Sequence, residues 1–353
     1  MQMTAKRAVE SVLTGVRADR IPFTIFENKL PQCAVERQLR NEGLCIIRKN
    51  RAVFKQSMPN VKITSHTYSE NGRQLVRTEY DTPVGQLHTI VEPSGFTSWT
   101  HKRLFSSPDD YKALKFLIRD ITIEPDYASF IKSQQLCGED FFFRSYIGGE
   151  PLQELMSYYI GVENFCIQWH ETRDDILELQ DILIEKRRQT YPIIADSPGL
   201  AFNYGGNVTP EIVGLDRFGK FYVPNYQEAA EVLHKKGKLI GVHFDANCQL
   251  LSKAISKTDL DYIEAFTPAP DTDMTLAEAR KAWPEKVLWI NFPSSVHLES
   301  LETIERTTRD LIKQVGSTEK FIMGITEDIP PDRWQQNMLT ISRVLQDYRY
   351  KGL

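Results

Sequence analysis

Short apolar runs alternate with amphipathic stretches along most of the chain, and this alternation predicts parallel β-strands joined by helices. The clearest run is 238–243, which ends abruptly in the polar side chains of His243 and Asp245. Further strands are predicted at 23–26, 141–147, 200–204, 261–265, 287–291 and 320–324. These strands favour a (β/α)8 barrel over an open sheet, with an eighth strand expected in the middle of the chain at a position that the pattern does not reveal.

Amphipathic spacing and helix-start signals predict the intervening helices. They are expected near 4–14, 31–55, 107–117, 148–159, 163–170, 173–191, 225–236, 248–255, 275–282, 299–315 and 331–348. The stretch from about 60 to 105 differs, because it holds short β-type runs separated by the turn signals Asn71-Gly72 and Thr82-Pro-Val-Gly85. It predicts an antiparallel β-meander inserted into one barrel domain that spans 1–353, since no linker-like stretch divides the chain.

Composition narrows the function classes. The 353 residues are 41% hydrophobic and 25% charged, as in an average globular protein, and the formal net charge is -4. Nucleic acids and anionic membranes require a basic face, so neither is expected as a partner. The first ten residues lack an apolar signal region and no run is long enough to cross a bilayer, which predicts a cytoplasmic protein. The five cysteines show no CxxC spacing and are expected to be reduced thiols.

Polar residues lie at the ends of the predicted strands, where a barrel brings them to one mouth. They are Glu27, Asn28, Arg144, Tyr146, Tyr204, Asn207, His243, Asp245, Glu264, Asn291, Thr326 and Glu327. A histidine among several carboxylates is a ligand set for a divalent cation such as zinc. Residues two apart on a strand face the same side, so His243 and Asp245 reach one point. By itself, however, this spacing favours a neutral histidine that a nearby carboxylate orients.

Four segments in order carry a resemblance to a known family. Residues 237–247 resemble the histidine-bearing strand of the uroporphyrinogen decarboxylase superfamily, which includes cobalamin-dependent methyltransferases. Residues 150–165, 207–212 with 222–224, and 324–331 resemble three further segments of that superfamily. The resemblance covers most of the chain and implies a (β/α)8 barrel and, since members often form dimers, a homodimer.

Departures from the family pattern distinguish its branches. True porphyrinogen decarboxylases carry an Arg-Gln-Ala-Gly-Arg-Tyr motif where this chain has Phe26-Glu-Asn-Lys-Leu-Pro31. An acidic residue there repels a polycarboxylate, so uroporphyrinogen is not the expected substrate. Thiol-methylating members bind zinc through one histidine and two cysteines. Asp245 stands in the first cysteine position, and Glu327, with Thr326 as the alternative, stands in the second. The resemblance therefore implies a metal site of His243, Asp245 and Glu327.

Oxygen ligands leave zinc more electrophilic than thiolates do, which suits the polarisation of a methylated oxygen or nitrogen. The resemblance then implies a methyltransferase that moves methyl from a small O- or N-methyl donor to the cobalt of a separate corrinoid protein. Glu264 or Glu27 is expected to supply a proton, with the donor positioned by Phe26, Asn28, Tyr204, Asn207 and Asn291. Other roles stay open for three of them: Asn207 as a turn residue, Asn291 as a helix cap and Glu264 as a salt-bridged carboxylate.

Two other functions stay open from the sequence. One is a lyase that acts without metal on a smaller, less acidic substrate than uroporphyrinogen. The other is a barrel that has lost catalysis and binds a ligand or a partner.

Overall fold

The computed structural model describes residues 3–49, 52–95 and 97–348. Its strands are β1 (Phe23–Phe26), β2 (Leu44–Lys49), β3 (Phe54–Ser57), β4 (Lys62–Glu70), β5 (Arg73–Thr82), β6 (Gly85–Ser94), β7 (Thr97–Lys102), β8 (Thr122–Pro125), β9 (Phe141–Gly148), β10 (Ala201–Gly206), β11 (Leu239–His243), β12 (Tyr262–Phe266), β13 (Val287–Asn291) and β14 (Phe321–Ile325). Its helices are α1 (Ala5–Leu13), α2 (Ala34–Asn41), α3 (Tyr111–Asp120), α4 (Tyr127–Cys137), α5 (Pro151–Glu154), α6 (Val162–Glu171), α7 (Arg173–Ala195), α8 (Pro210–Val213), α9 (Leu215–Arg217), α10 (Val223–His234), α11 (Ser252–Ile255), α12 (Leu276–Ala282), α13 (Leu301–Val315) and α14 (Trp334–Asp347).

Eight of the strands close into a barrel in which every neighbouring pair is parallel. The order around it is β1, β14, β13, β12, β11, β10, β9 and β2. The prediction of a (β/α)8 barrel is therefore confirmed. In such a barrel the carboxyl ends of all strands meet at one face, and that face is where ligands bind.

The eighth strand is β2, and the sequence prediction of its place was wrong. Residues 31–55 were expected to be helical, yet helix α2 covers only Ala34–Asn41, and Leu44–Lys49 pairs with β1 on one side and β9 on the other. Its apolar run, Leu44-Cys-Ile-Ile47, is too short for periodicity to separate a buried strand from a helix. Sheet pairing decides the conformation. Residues 50 and 51 of that predicted helix lie outside the described residues.

By its internal contacts the chain divides into two compact units. The first comprises Met1–Val53, Asp126–Gly148 and Ile194–Leu353 and holds all barrel strands. The second comprises Phe54–Pro125 and Gly149–Ile193. It contains the four-stranded antiparallel sheet β4-β5-β6-β7 and the strand pair β3-β8. The predicted antiparallel meander is confirmed within this second unit.

Helix α1 covers the amino-terminal ends of barrel strands. Its buried residues, among them Val9 and Val12, share one apolar cluster with Ala201 and Val287, which stand at the start of β10 and β13. Apolar side chains thus fill this end of the barrel, and the polar side chains lie toward the other end. No helix in the described part of the chain combines the length and apolar character needed to cross a membrane.

Candidate functional site

A buried carboxylate lies at the centre of the polar end of the barrel. Glu264, in β12, has 0% of its surface exposed and accepts three hydrogen bonds. The donors are Arg144 Nη2 at 3.2 Å, Asn203 Nδ2 at 3.0 Å and His243 Nδ1 at 2.6 Å. These four residues, here called the Glu264 cluster, come from the neighbouring strands β9, β10, β11 and β12. Tyr262 extends the cluster by donating its hydroxyl to Asn203 Oδ1 at 2.7 Å.

The charges of the Glu264 cluster stabilise one another. Burial by itself would raise the pKa of Glu264, but Arg144 and His243 outweigh it and lower that pKa to about 2. Burial by itself would lower the pKa of His243, but Glu264 and Asp245 outweigh it and raise that pKa to about 9. Glu264 is therefore an ionised carboxylate at neutral pH. An ionised carboxylate can accept a hydrogen bond from His243 and so orient its ring. It carries no proton to donate, in contrast to the role that the sequence suggested.

His243 is held so that its second ring nitrogen faces outward from the Glu264 cluster. Nδ1 contacts Glu264, while Nε2 lies 3.3 Å from Asp245 Oδ2. The Phe26 ring stacks on the imidazole, with ring centroids 6.4 Å apart and planes 24° from parallel. This contact brings the two side chains together, although Asp245 lies beyond the end of β11. That they reach one ion stays a prediction.

The strand beside His243 depends on a glycine. A Cβ atom on Gly206 would lie 2.6 Å from His243 Cβ and 3.0 Å from the His243 carbonyl oxygen. Only glycine leaves room for β10 to approach the histidine so closely. The next residue, Asn207, has a φ of 53° and donates its backbone N–H to the same carbonyl at 3.0 Å. Asn207 therefore takes the turn conformation that the sequence left open.

Two cations lie beside the Phe26 ring. Lys49 Nζ is 4.1 Å from the ring centroid, and the Arg144 guanidinium carbon is 5.7 Å from it. Burial lowers the pKa of Lys49, with Arg144 adding to that effect, while carboxylates including Glu327 oppose it. Sequence analysis missed Lys49 because the stretch that contains β2 had been assigned to a helix. Lys49 follows the apolar run Leu44-Cys-Ile-Ile47 and Arg48, and this position could have indicated a polar residue at a strand end.

Three predicted site residues, Glu27, Asn28 and Tyr204, lie outside the Glu264 cluster. Glu27 forms an ion pair with Arg48. Asn28 is exposed. Tyr204 is fully buried, with its ring edge against Tyr226 at a centroid distance of 5.6 Å.

Asn291 is a buried link between strand ends. Its Oδ1 accepts the backbone N–H of Thr326 at 2.9 Å, and its Nδ2 donates to Thr267 Oγ1 at 3.4 Å. These contacts tie the end of β13 to the residue that follows β14. Asn203, which sequence reasoning did not single out, contacts the central carboxylate instead.

The distance between His243 and Asp245 can be compared with the spacing of two ligands on one zinc ion. Two ligands about 2.0–2.2 Å from a tetrahedral zinc ion lie roughly 3.3 Å apart, and His243 Nε2 lies 3.3 Å from Asp245 Oδ2. Metal-binding histidines almost always donate their other N–H to a carboxylate or carbonyl, as His243 does to Glu264. Glu327 is exposed just after β14, and within residues 3–49, 52–95 and 97–348 no three His, Cys, Asp or Glu residues form a group that could hold a metal ion. The spacing of His243 and Asp245 is thus compatible with two ligands of one ion, and the set of His243, Asp245 and Glu327 stays a prediction.

Among solved structures, the chain is similar to a methyltransferase from Methanosarcina mazei. The similarity covers 99% of this chain and 100% of that one, with a TM-score of 0.59 and 10% sequence identity. At this identity the likeness concerns the fold. No protein-family model and no curated protein sequence matches the chain.

Proposed function

We propose that the protein is a zinc-dependent methyltransferase of the uroporphyrinogen decarboxylase superfamily. It would move a methyl group from a small O- or N-methyl donor to the cobalt of a corrinoid protein. The observation that carries this proposal is the geometry of His243, whose Nδ1 is held by buried Glu264 while Nε2 lies 3.3 Å from Asp245 Oδ2. The barrel fold shared with a methyltransferase supports the same class of reaction.

In this proposal each residue at the mouth of the barrel has its own role. His243 and Asp245 hold the zinc ion, and Glu327 completes the set. When bound, the zinc ion would supply Lewis-acid polarisation of the oxygen or nitrogen that carries the methyl group. Glu264 fixes the ring orientation of His243, and the Phe26 ring packs beside the metal ligands and the donor.

The bond changes balance with one proton. The bond between methyl carbon and heteroatom breaks, a carbon–cobalt bond forms on the reduced corrinoid, and a proton goes to the leaving oxygen or nitrogen. Glu264 is ionised and accepts three hydrogen bonds, and Glu27, exposed beside the end of β1, is ion-paired with Arg48. The proton is therefore assigned to solvent water at the mouth. Asn28 and Asn207 follow the ends of β1 and β10 and are assigned to positioning of the donor.

Metal content tests the site. Purified protein incubated with zinc and then desalted should hold about one zinc ion per chain by mass spectrometry of the metal. His243→Ala and Asp245→Asn should lose it, and Glu327→Gln should bind zinc more weakly with the fold intact. A matched control is His234→Ala, because His234 pairs with Asp261 at 2.9 Å outside the Glu264 cluster. Failure to take up zinc, or equal zinc in His243→Ala and wild type, would refute the metal site.

Methyl transfer is tested with chemically reduced cobalamin in place of the corrinoid protein. Small methyl ethers and methylamines are supplied as donors, and the visible spectrum reports methylation of cobalt. Wild-type protein should methylate cobalamin with at least one donor class, and His243→Ala should not. Normal activity in zinc-free protein would show that methyl transfer does not require the metal.

One observation favours a carboxy-lyase as the second candidate. Lys49 is a partly buried ammonium group at the mouth, and no carboxylate lies within 4.0 Å of its nitrogen in the part of the chain that the structure describes. A substrate carboxylate would neutralise it. Release of CO2 by metal-free protein, abolished in Lys49→Met, would support this reaction and count against methyl transfer.

A further inference from the structure

The second unit contains a cavity that the proposed reaction does not use. Its volume is about 390 Å³, which lies within the range of small-molecule sites. Strands β5, β6 and β7 supply one wall, helix α3 another, and the turn after α5 a third. The lining includes Tyr80, Val91, Arg103, Leu117, Tyr158 and Tyr159.

Aromatic side chains reach this cavity from an unusual turn. Residues Leu155–Tyr159 form a π-helix, which widens the backbone and brings Tyr158 and Tyr159 to the lining. Such turns are rare and frequently occur at functional sites. The turn is held in place by the backbone N–H of Phe105, which donates to the Tyr159 carbonyl at 3.0 Å. Tyr159 is partly buried and Tyr158 is exposed, and the flat faces of both rings are suited to a planar organic molecule.

The cavity contains one cation that lacks a carboxylate partner. Glu154, also in the lining, is ion-paired with Arg187. Arg103 has no carboxylate within salt-bridge distance among residues 3–49, 52–95 and 97–348. Burial lowers the pKa of Arg103, which reflects the cost of a partly desolvated guanidinium without a counterion. An anionic ligand would remove that cost.

The position of Arg103 is set by close packing. A Cβ atom on Gly161 would lie 3.1 Å from Arg103 Cδ, so the stem of the arginine crosses the open face of that glycine. Gly161 has a φ of 90°, a conformation that other residues rarely adopt. The guanidinium is therefore presented from a constrained stem, and a planar guanidinium binds a carboxylate through two parallel hydrogen bonds.

We propose that this cavity binds a small aromatic monocarboxylate. The ring would lie against Tyr80, Tyr158 and Tyr159, and the carboxylate would pair with Arg103. This binding site does not depend on the methyltransferase proposal, because none of its residues belongs to the barrel mouth.

Isothermal titration calorimetry on the full chain tests the site with phenylacetate, its neutral isostere phenylacetamide, and acetate. We expect phenylacetate to bind, phenylacetamide to bind at least tenfold more weakly, and acetate not to bind measurably, because a charge-assisted pair contributes about one to two orders of magnitude in affinity. Arg103→Gln should remove the preference for phenylacetate over phenylacetamide. Arg119→Gln should retain it, because Arg119 is an exposed residue of the same unit that pairs with Glu178.

Two further variants keep the test decisive. Arg103→Lys retains the charge and should keep part of the preference if Arg103→Gln fails to fold. Val91→Phe fills the cavity and should abolish binding of phenylacetate while thermal unfolding stays cooperative. Equal affinity for phenylacetate and phenylacetamide, unchanged binding in folded Arg103→Gln or Val91→Phe, or no binding of phenylacetate would each overturn the proposal.

Discussion

His243 and Glu264 are direct partners in the parallel ladder between β11 and β12, and their side chains meet with Nδ1 and Oε2 2.6 Å apart. The sheet register thus decides which carboxylate orients the histidine. Arg144 and Asn203, from the next two strands, complete the contacts of that carboxylate. The site is built on strands, which hold side chains more rigidly than loops do.

Glu264→Gln is expected to destabilise the protein by about 3–5 kcal/mol, as removal of one partner of a buried ion pair does. The new amide N–H group would face Arg144, Asn203 or His243, all of which donate to the carboxylate. Urea denaturation followed by circular dichroism measures the free energy of unfolding.

Glu285→Gln is the matched control for that substitution. Glu285 pairs with Lys320 at 2.6 Å on the surface, with 88% of its side chain exposed. Exposed ion pairs contribute little to stability because water and salt screen them, so little change is expected. Equal unfolding free energies for the two variants would contradict a stabilising role for the Glu264 cluster.

Gly206→Ala should displace His243, because the added Cβ atom would lie 2.6 Å from His243 Cβ. A cost of about 1–3 kcal/mol is expected from overpacking, with a matching loss of zinc affinity. Gly219→Ala is the control, since a Cβ atom added there would meet no atom of the described part of the chain within 4 Å and the residue is exposed. Zinc affinity unchanged in Gly206→Ala would show that the close approach of β10 does not position the histidine.

His297 should make the protein less stable in acid. Burial lowers the pKa of His297 from 6.5 to about 4, with Asp271 opposing, and Nε2 has no hydrogen-bond partner among the described residues. Between these two values the unfolded chain binds a proton that the folded chain does not. Stability contributed by the neutral ring is therefore present above pH 6.5 and is lost as the pH falls toward 4, by about 3 kcal/mol at most.

Urea denaturation at pH 7 and pH 5 measures this loss. His297→Gln should lose less stability than wild type on acidification, because glutamine does not titrate and its oxygen replaces Nδ1 as the acceptor for Asn337. His66→Gln, at an exposed position, should behave like wild type. Parallel curves for wild type and His297→Gln would refute the assignment.

Zinc should stabilise the folded protein, because the proposed ligands lie at the ends of β11 and β14, which are brought together only in the folded barrel. At a free zinc concentration 100 times the dissociation constant, the expected gain is about 2.7 kcal/mol. Asp245→Asn should reduce it. A thermal midpoint that zinc leaves unchanged in wild type would argue against the site.

The sequence determined much of the barrel by itself. Strands such as Tyr262–Phe266 and Val287–Asn291 are short apolar runs between amphipathic helices, and that local pattern is enough to predict them. The antiparallel sheet was equally visible in its turn residues, including Asn71 and Gly72, since positive φ angles are a local requirement. The sequence also predicted that His243 and Asp245 lie close together, because the two residues are only two positions apart.

The tertiary structure decided what depends on residues distant in sequence. Strand β2 forms because β1 and β9 pair with it on both sides, and the apolar run carried no sign of those neighbours. Glu264 changes from an expected proton donor to the ionised support of His243, because Arg144 lies 120 positions away in sequence and 3.2 Å away in space. Charge state depends on the summed field of such neighbours, and sequence patterns record spacing along the chain but not distance across the barrel.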